Sequence, residues 1–225
     1  MNENFRPFVV HLREAMRTLA FGVMYAYESE VDGEILEFGT MSGNTAKEMA
    51  ASMMICEATA SQQWRMKHGP KALHLFDSFD GFPDDSRDDG PHVDSGIWRA
   101  GNCKGLSEKE LIERVTTEAH CPPHKVITHA GWFKDTVKDF TGKVSLVNVD
   151  CDLYSSTRDA LNPLFERDQI SDGCLICFDD YNCNRASPKH GQRKAWSELT
   201  DYYGIKSSDE GSYGIFGRKF IVHGS

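Results

Sequence analysis

The chain has 225 residues, a length that suits one large α/β domain (1–225), and its 40% hydrophobic and 26% charged content is ordinary for a soluble globular protein. A formal net charge of −9, with no run rich in Lys or Arg, argues against a nucleic-acid partner. No apolar run approaches the roughly 18 residues that span a bilayer, so no membrane partner is expected.

The first segment, about residues 7–29, carries Phe8, Val9, Leu12, Met16, Leu19 and Ala20 at helical spacing. It reads as a leading amphipathic helix within residues 1–30, and its apolar side offers a surface for a homodimer. It lacks the basic start and long apolar stretch of a signal peptide, and a cytoplasmic location is expected. A short strand follows at "EILEFG", then one helix through "GNTAKEMAASMMICEATASQQWRM", with Asn44 and Thr45 as candidate caps. "ALHLFDSF" is the next strand. Residues 81–106 open with a polar Gly, Pro and Asp run too long for an ordinary connection, and read as a lid or acceptor loop. Ser107 and Glu110 form a capping signature for a helix over 107–119.

"KVITHAGWF" reads as a strand and "DTVKDF" as a short helix. "KVSLVNVD" and "GCLICFDD" are further strands. Between them lies "SSTRDALNPLFERD", a helix that Pro163 would shorten or kink. "GQRKAWSELTDYYG" is a helix with Gly204 as its end signal, and "SYGIFGRKFIVHG" is final strand material. Cys174 and Cys177 fall in one strand and face opposite sides of a sheet, so they are no redox or zinc pair. The seven cysteines read as reduced.

Alternating strands and helices imply an open, mostly parallel sheet with helices on both faces. Ligands in such sheets bind beyond the C-terminal strand ends, near the switch point. The side chains there are Glu37, Asp77, His129, Asp150, Asp152, Asp179 and Asp180. The turn "ILEFGTMSGNTA" lacks the full dinucleotide fingerprint, and alone it is also a plain strand-to-helix turn. Asp77 at the next strand end is placed to accept ribose hydroxyls. A glycine turn, a ribose-type acid and no pyrophosphate glycines suggest S-adenosylmethionine.

The motifs "EFGTMSGNTA", "LFDSFDGFP", "GWFKDT", "VDCDLYSSTRDAL", "FDDY" and "GQRKAW" occur in that order over about residues 33–200. In this the chain resembles the macrocin O-methyltransferase family, class I S-adenosylmethionine enzymes that methylate sugar hydroxyls on natural products. The resemblance implies a Rossmann-like, seven-stranded, mostly parallel sheet with a last antiparallel strand. It implies a divalent ion, usually magnesium, on Asp150, Asp179 and Asp180. It implies cofactor contacts at Glu37, Phe38, Gly39, Thr40, Ser42, Asn44, Thr45, Asp77, Ser78, Trp132 and Asp150.

A cation on three carboxylates would acidify and orient a small-molecule hydroxyl acceptor, and a nearby group would take the proton. Asp152 is the first candidate base, with His129 and His190 behind it. Plainer roles stand beside these. Asp150 suits a helix-dipole acid, Asp152 a helix cap, and Asp179 and Asp180 loop caps. His129 suits a packed ring, His190 a solvated or cap position, and Trp132 a core aromatic. Rival readings are a D-x-D glycosyltransferase using a nucleotide-sugar, a haloacid-dehalogenase-type phosphotransferase, and a non-enzymatic binding module.

Overall fold

The computed structural model describes residues 6–84, 89–90 and 98–224. The elements follow in chain order: α1 (Arg6–Glu28), β1 (Glu34–Phe38), α2 (Asn44–Thr59), α3 (Gln62–His68), β2 (Leu73–Asp77) and α4 (Glu108–Glu118). Then come β3 (Val126–Ala130), α5 (Phe133–Thr136), β4 (Val144–Val149), α6 (Tyr154–Glu166) and β5 (Ile170–Phe178). The one-turn α7 (Cys183–Ala186), α8 (Gly191–Tyr203), β6 (Lys206–Tyr213) and β7 (Gly217–His223) complete the chain. The strands form one sheet in the order β3-β2-β1-β4-β5-β7-β6. Only β7 runs against the rest, pairing antiparallel with both β5 and β6. This is the expected mostly parallel sheet with one reversed strand.

The alternation of a pleated strand explains the two cores. Along β5, Cys174, Ile176 and Phe178 join one apolar cluster with α6 and α8, while Leu175 and Cys177 join the other with α1 and α2. The two cysteines of the CxxC therefore face opposite sides, and all seven cysteines are free.

Several local expectations change. The single helix over residues 43–66 is two helices. Ala60 takes an extended conformation, and the Ser61 hydroxyl accepts the Trp64 N–H, starting a new helix. Asn44 and Thr45 cap nothing; the position before α2 is Gly43, left-handed and without a side-chain cap. On α1 the buried stripe is His11, Ala15, Leu19, Val23 and Tyr27, while Phe8 and Val9 are exposed. Pro163 lies inside α6, which continues to Glu166. The capping box of Ser107 and Glu110 and the left-handed Gly204 after α8 are as expected. No described helix is long and apolar enough to cross a membrane. Residues 85–88 and 91–97 of the expected lid loop lie outside the described residues.

Candidate active site at the sheet switch point

Strand order reverses between β1 and β4, and the loops leaving these strands part there. A row of backbone hydrogen bonds levels the strand ends. Gly39 N donates to Phe76 O (3.0 Å), Asp150 N to Phe38 O (2.9 Å) and Asp179 N to Val149 O (3.1 Å). The first residue after β4 and the first after β5 therefore stand side by side. Gly39 is required at its position. Its φ is +86°, and a Cβ would lie 1.9 Å from the Asp150 carbonyl oxygen.

A cavity of about 950 Å³ opens above this row. Gly39, Thr40, Ser42, Asn44, Thr45, Asp77, Ser78 and Trp132 line one part, and Asp150, Asp152, Asp179 and Asp180 line another. Pro7, Phe8, Leu12, Ile215 and Phe216 add an apolar wall from α1 and the β6–β7 turn. Asp77 is already a hub. Its Oδ2 accepts the Thr40 N–H (2.7 Å) and hydroxyl (2.8 Å), and its Oδ1 accepts the Phe79 N–H (2.8 Å). The glycine turn and the second strand end are thus tied into one wall.

Asp150, Asp179 and Asp180 each offer an oxygen, and these oxygens lie within 4.8 Å of one another. Gln192 of α8 holds the group in place: its Oε1 accepts the Asp180 N–H (2.9 Å) and its Nε2 donates to Val149 O (3.0 Å). Asp180 Oδ1 accepts the Cys183 thiol, but its buried Oδ2 has no hydrogen-bond partner. Burial first, then the neighbouring Asp179 and Asp180, push the Asp150 carboxyl well above the carboxylate range. Burial and the same two acids raise Asp152 likewise, and burial with Asp179 lifts Asp180 to about 7. Crowded, desolvated carboxylates with an orphaned oxygen are a donor set that fits a hard divalent cation.

Asp152 has left-handed backbone, φ +58°, and is not the cap of α6. The residue before α6 is Leu153, without a side-chain cap, and the Tyr154 N–H goes to the carboxylate of Asp89. The indole of Trp98 donates to the Asp152 carboxylate instead. Asp89 and Trp98 both come from the 81–106 loop.

Four sequence candidates are not brought into the cavity. Glu37 is fully buried beneath it, hydrogen-bonded to Asn148 and Thr45, with its pKa raised to about 7 chiefly by burial. The Phe38 ring packs between Phe76 and Phe133 in the core. His129 faces away: its ring stacks on Phe76 at 4.1 Å and hydrogen-bonds His74 at 2.9 Å. Burial lowers its pKa. His190 precedes α8 with its ring against Gly90, where a Cβ would meet it at 2.8 Å. Neither histidine is placed as a base.

Sequence reasoning missed His11, Asp89, Trp98 and Gln192. Only His11 left a sign, as a polar ring at the head of the 11-15-19-23 stripe of α1.

Comparison with known proteins agrees with this architecture. The macrocin-O-methyltransferase (TylF) family profile matches residues 10–207. One relative is the 8-demethyl-8-(2,3-dimethoxy-alpha-L-rhamnosyl)-tetracenomycin-C 4'-O-methyltransferase of Streptomyces olivaceus. It is 28% identical over 221 residues, 94% of this chain and 77% of that protein. Mycinamicin III 3''-O-methyltransferase of Micromonospora griseorubida is 26% identical over 210 residues, 91% and 75% of the two chains. Among solved structures, the O-methyltransferase NovP superposes with a TM-score of 0.75 at 20% identity, covering 94% of this chain and 80% of its own. With the profile matching most of its length and its fold that of an O-methyltransferase, the chain belongs to the macrocin-O-methyltransferase (TylF) family.

Proposed function

We propose that this protein transfers a methyl group from S-adenosylmethionine to a hydroxyl of a sugar or related natural product, with a divalent cation, magnesium in the first instance, held by Asp150, Asp179 and Asp180. The observation that carries this reading is one cavity lined both by the Gly39–Thr45 turn with Asp77 and by three carboxylates whose oxygens lie within 4.8 Å. The rhamnosyl-bearing acceptor in the name of the Streptomyces olivaceus relative, and mycinamicin III in that of the Micromonospora griseorubida relative, support the substrate class.

At the cofactor end, the glycine turn lets a ligand approach the backbone, and Asp77, whose Oδ2 is taken up by Thr40, keeps a lone pair on Oδ1 beside the Phe79 N–H for a ribose hydroxyl. Trp132, partly exposed on the cavity, offers a flat face for adenine. At the acceptor end, Pro7, Phe8, Leu12, Ile215 and Phe216 exclude water around an apolar group carried by the sugar. A cation on the three carboxylates would supply Lewis acidity toward two adjacent acceptor oxygens. Asp152 is the base: it lines the cavity next to the trio, and the Trp98 indole fixes its carboxylate. Holding donor and acceptor in line supplies much of the remaining rate.

Calorimetric titration with S-adenosylhomocysteine, paired with a methyl-transfer assay on a glycosylated natural product, tests the reading. Wild type and an Asp179→Asn/Asp180→Asn variant should bind the cofactor product alike. Turnover should fall at least about 100-fold in the variant and on chelation, in line with loss of a Lewis acid worth several kcal/mol. A protein that binds no S-adenosylhomocysteine overturns the methyl-transfer reading. Full turnover in chelator overturns the cation.

A further inference from the structure

Among the described residues, His11 is the side chain that ties the N-terminal helix to the carboxylate trio by a hydrogen bond. It is buried on α1, 168 residues before Asp179, and its Nε2 lies 2.9 Å from Asp179 Oδ2. The other ring nitrogen is also engaged: Nδ1 accepts the Ile215 N–H at 3.0 Å. A ring nitrogen that accepts cannot carry the proton, so the imidazole is the Nε2–H tautomer and donates to Asp179. The ring cannot turn away. Tyr213 stacks parallel to it at 6.3 Å, Phe216 meets it edge-on at 5.7 Å, and Gly214 passes so close that a Cβ would lie 2.3 Å from Nδ1.

We propose that His11 is a positioning residue for the cation site. By donating to Oδ2 it fixes the plane of the Asp179 carboxylate, whose remaining lone pairs would hold the ion together with Asp150 and Asp180. The inference rests on the proposed function and adds a specific consequence. The elements that His11 joins, α1 and the β6–β7 turn, carry the apolar acceptor wall. One imidazole therefore couples the assembly of that wall to the affinity for the cation. Ligating carboxylates are ordinarily held by such outer hydrogen bonds, and losing one typically weakens the metal site.

Two variants separate positioning from simple docking of the helix. In His11→Asn the amide oxygen sits near the place of Nδ1 and can still accept the Ile215 N–H, but no donor reaches Asp179. In His11→Gln the amide nitrogen sits near the place of Nε2 and keeps the donor. Magnesium is titrated calorimetrically into each protein saturated with S-adenosylhomocysteine. His11→Asn should bind magnesium about 10- to 100-fold more weakly, and His11→Gln close to wild type. S-adenosylhomocysteine affinity should be the same in all three. Magnesium affinity unchanged in His11→Asn, or reduced equally in both variants, overturns the proposal and leaves His11 as a docking residue. If wild type itself binds S-adenosylhomocysteine but no magnesium, the cation reading and this inference fall together.

Discussion

Glu37 shows how one buried carboxyl can set a pH dependence. It sits between β1 and β4 with Oε1 on Asn148 and Oε2 without a hydrogen-bond partner. Burial is the main reason its pKa rises to about 7, with Asp77 and Asp179 adding to it. The unfolded chain would release the same proton near about 4.3. Between those values the folded state holds the proton and the unfolded state does not, so stability falls as pH rises from about 4.3 to about 7 and is level above. A gap of that size corresponds to on the order of 3 kcal/mol. Glu37→Gln removes this contribution while keeping an acceptor for Asn148. Urea unfolding of both proteins at pH 5 and pH 8 should show wild type losing about that much relative to the variant. Parallel losses in the two proteins would refute the assignment.

Among the elements, α6 begins with a borrowed cap. Asp89, nearly inaccessible, takes the Tyr154 N–H, and its own carbonyl accepts the Asn184 amide. The cap docks the 81–106 loop on the wall that holds Asp152. Asp89→Ala should cost about 1 kcal/mol, as loss of a helix cap does, and lower the melting midpoint by roughly 2–4 °C. It should also raise the KM for the acceptor while S-adenosylhomocysteine affinity holds; an unchanged KM would mean that the cap is structural only. This contact also marks the limit of what the sequence shows. Strand ends were legible because apolar alternation stops at an acid, as at Asp77, Asp150 and Asp179, and the motif order carried the family. Asp152 looked like a cap because it precedes a helix by two residues, but its left-handed backbone and the bond from Trp98 turn it to the cavity. The partners that decide such roles lie far along the chain. Asp89 is 65 residues from Tyr154, and His11 is 168 from Asp179. Local spacing also could not place His129, whose alternation in an edge strand sends its ring onto Phe76 and His74 rather than into the cavity.

For the molecule as a whole, the crowded carboxylate cluster costs stability. Asp150, Asp152 and Asp180 are crowded together half-buried, and their raised pKa values report repulsion between carboxylates as well as lost hydration. At pH 8, above the value of about 7 for Asp180, that carboxylate is ionised in the protein without a cation and adds its charge to the cluster. A cation bound only by the folded state reverses it by mass action, contributing about 2.7 kcal/mol at 100 times its dissociation constant. For a chain of this length that is a rise in melting midpoint of roughly 5–10 °C. The Asp179→Asn/Asp180→Asn variant should behave in the opposite way. With two charges removed it should melt at or above wild type in chelator at pH 8, and magnesium should leave its midpoint unmoved. Scanning calorimetry of both proteins, with magnesium and with chelator, reads all four values. A wild-type midpoint insensitive to magnesium, or a variant that melts well below wild type in chelator, would mean that the three carboxylates are stabilised by contacts within the fold and are not poised for a cation.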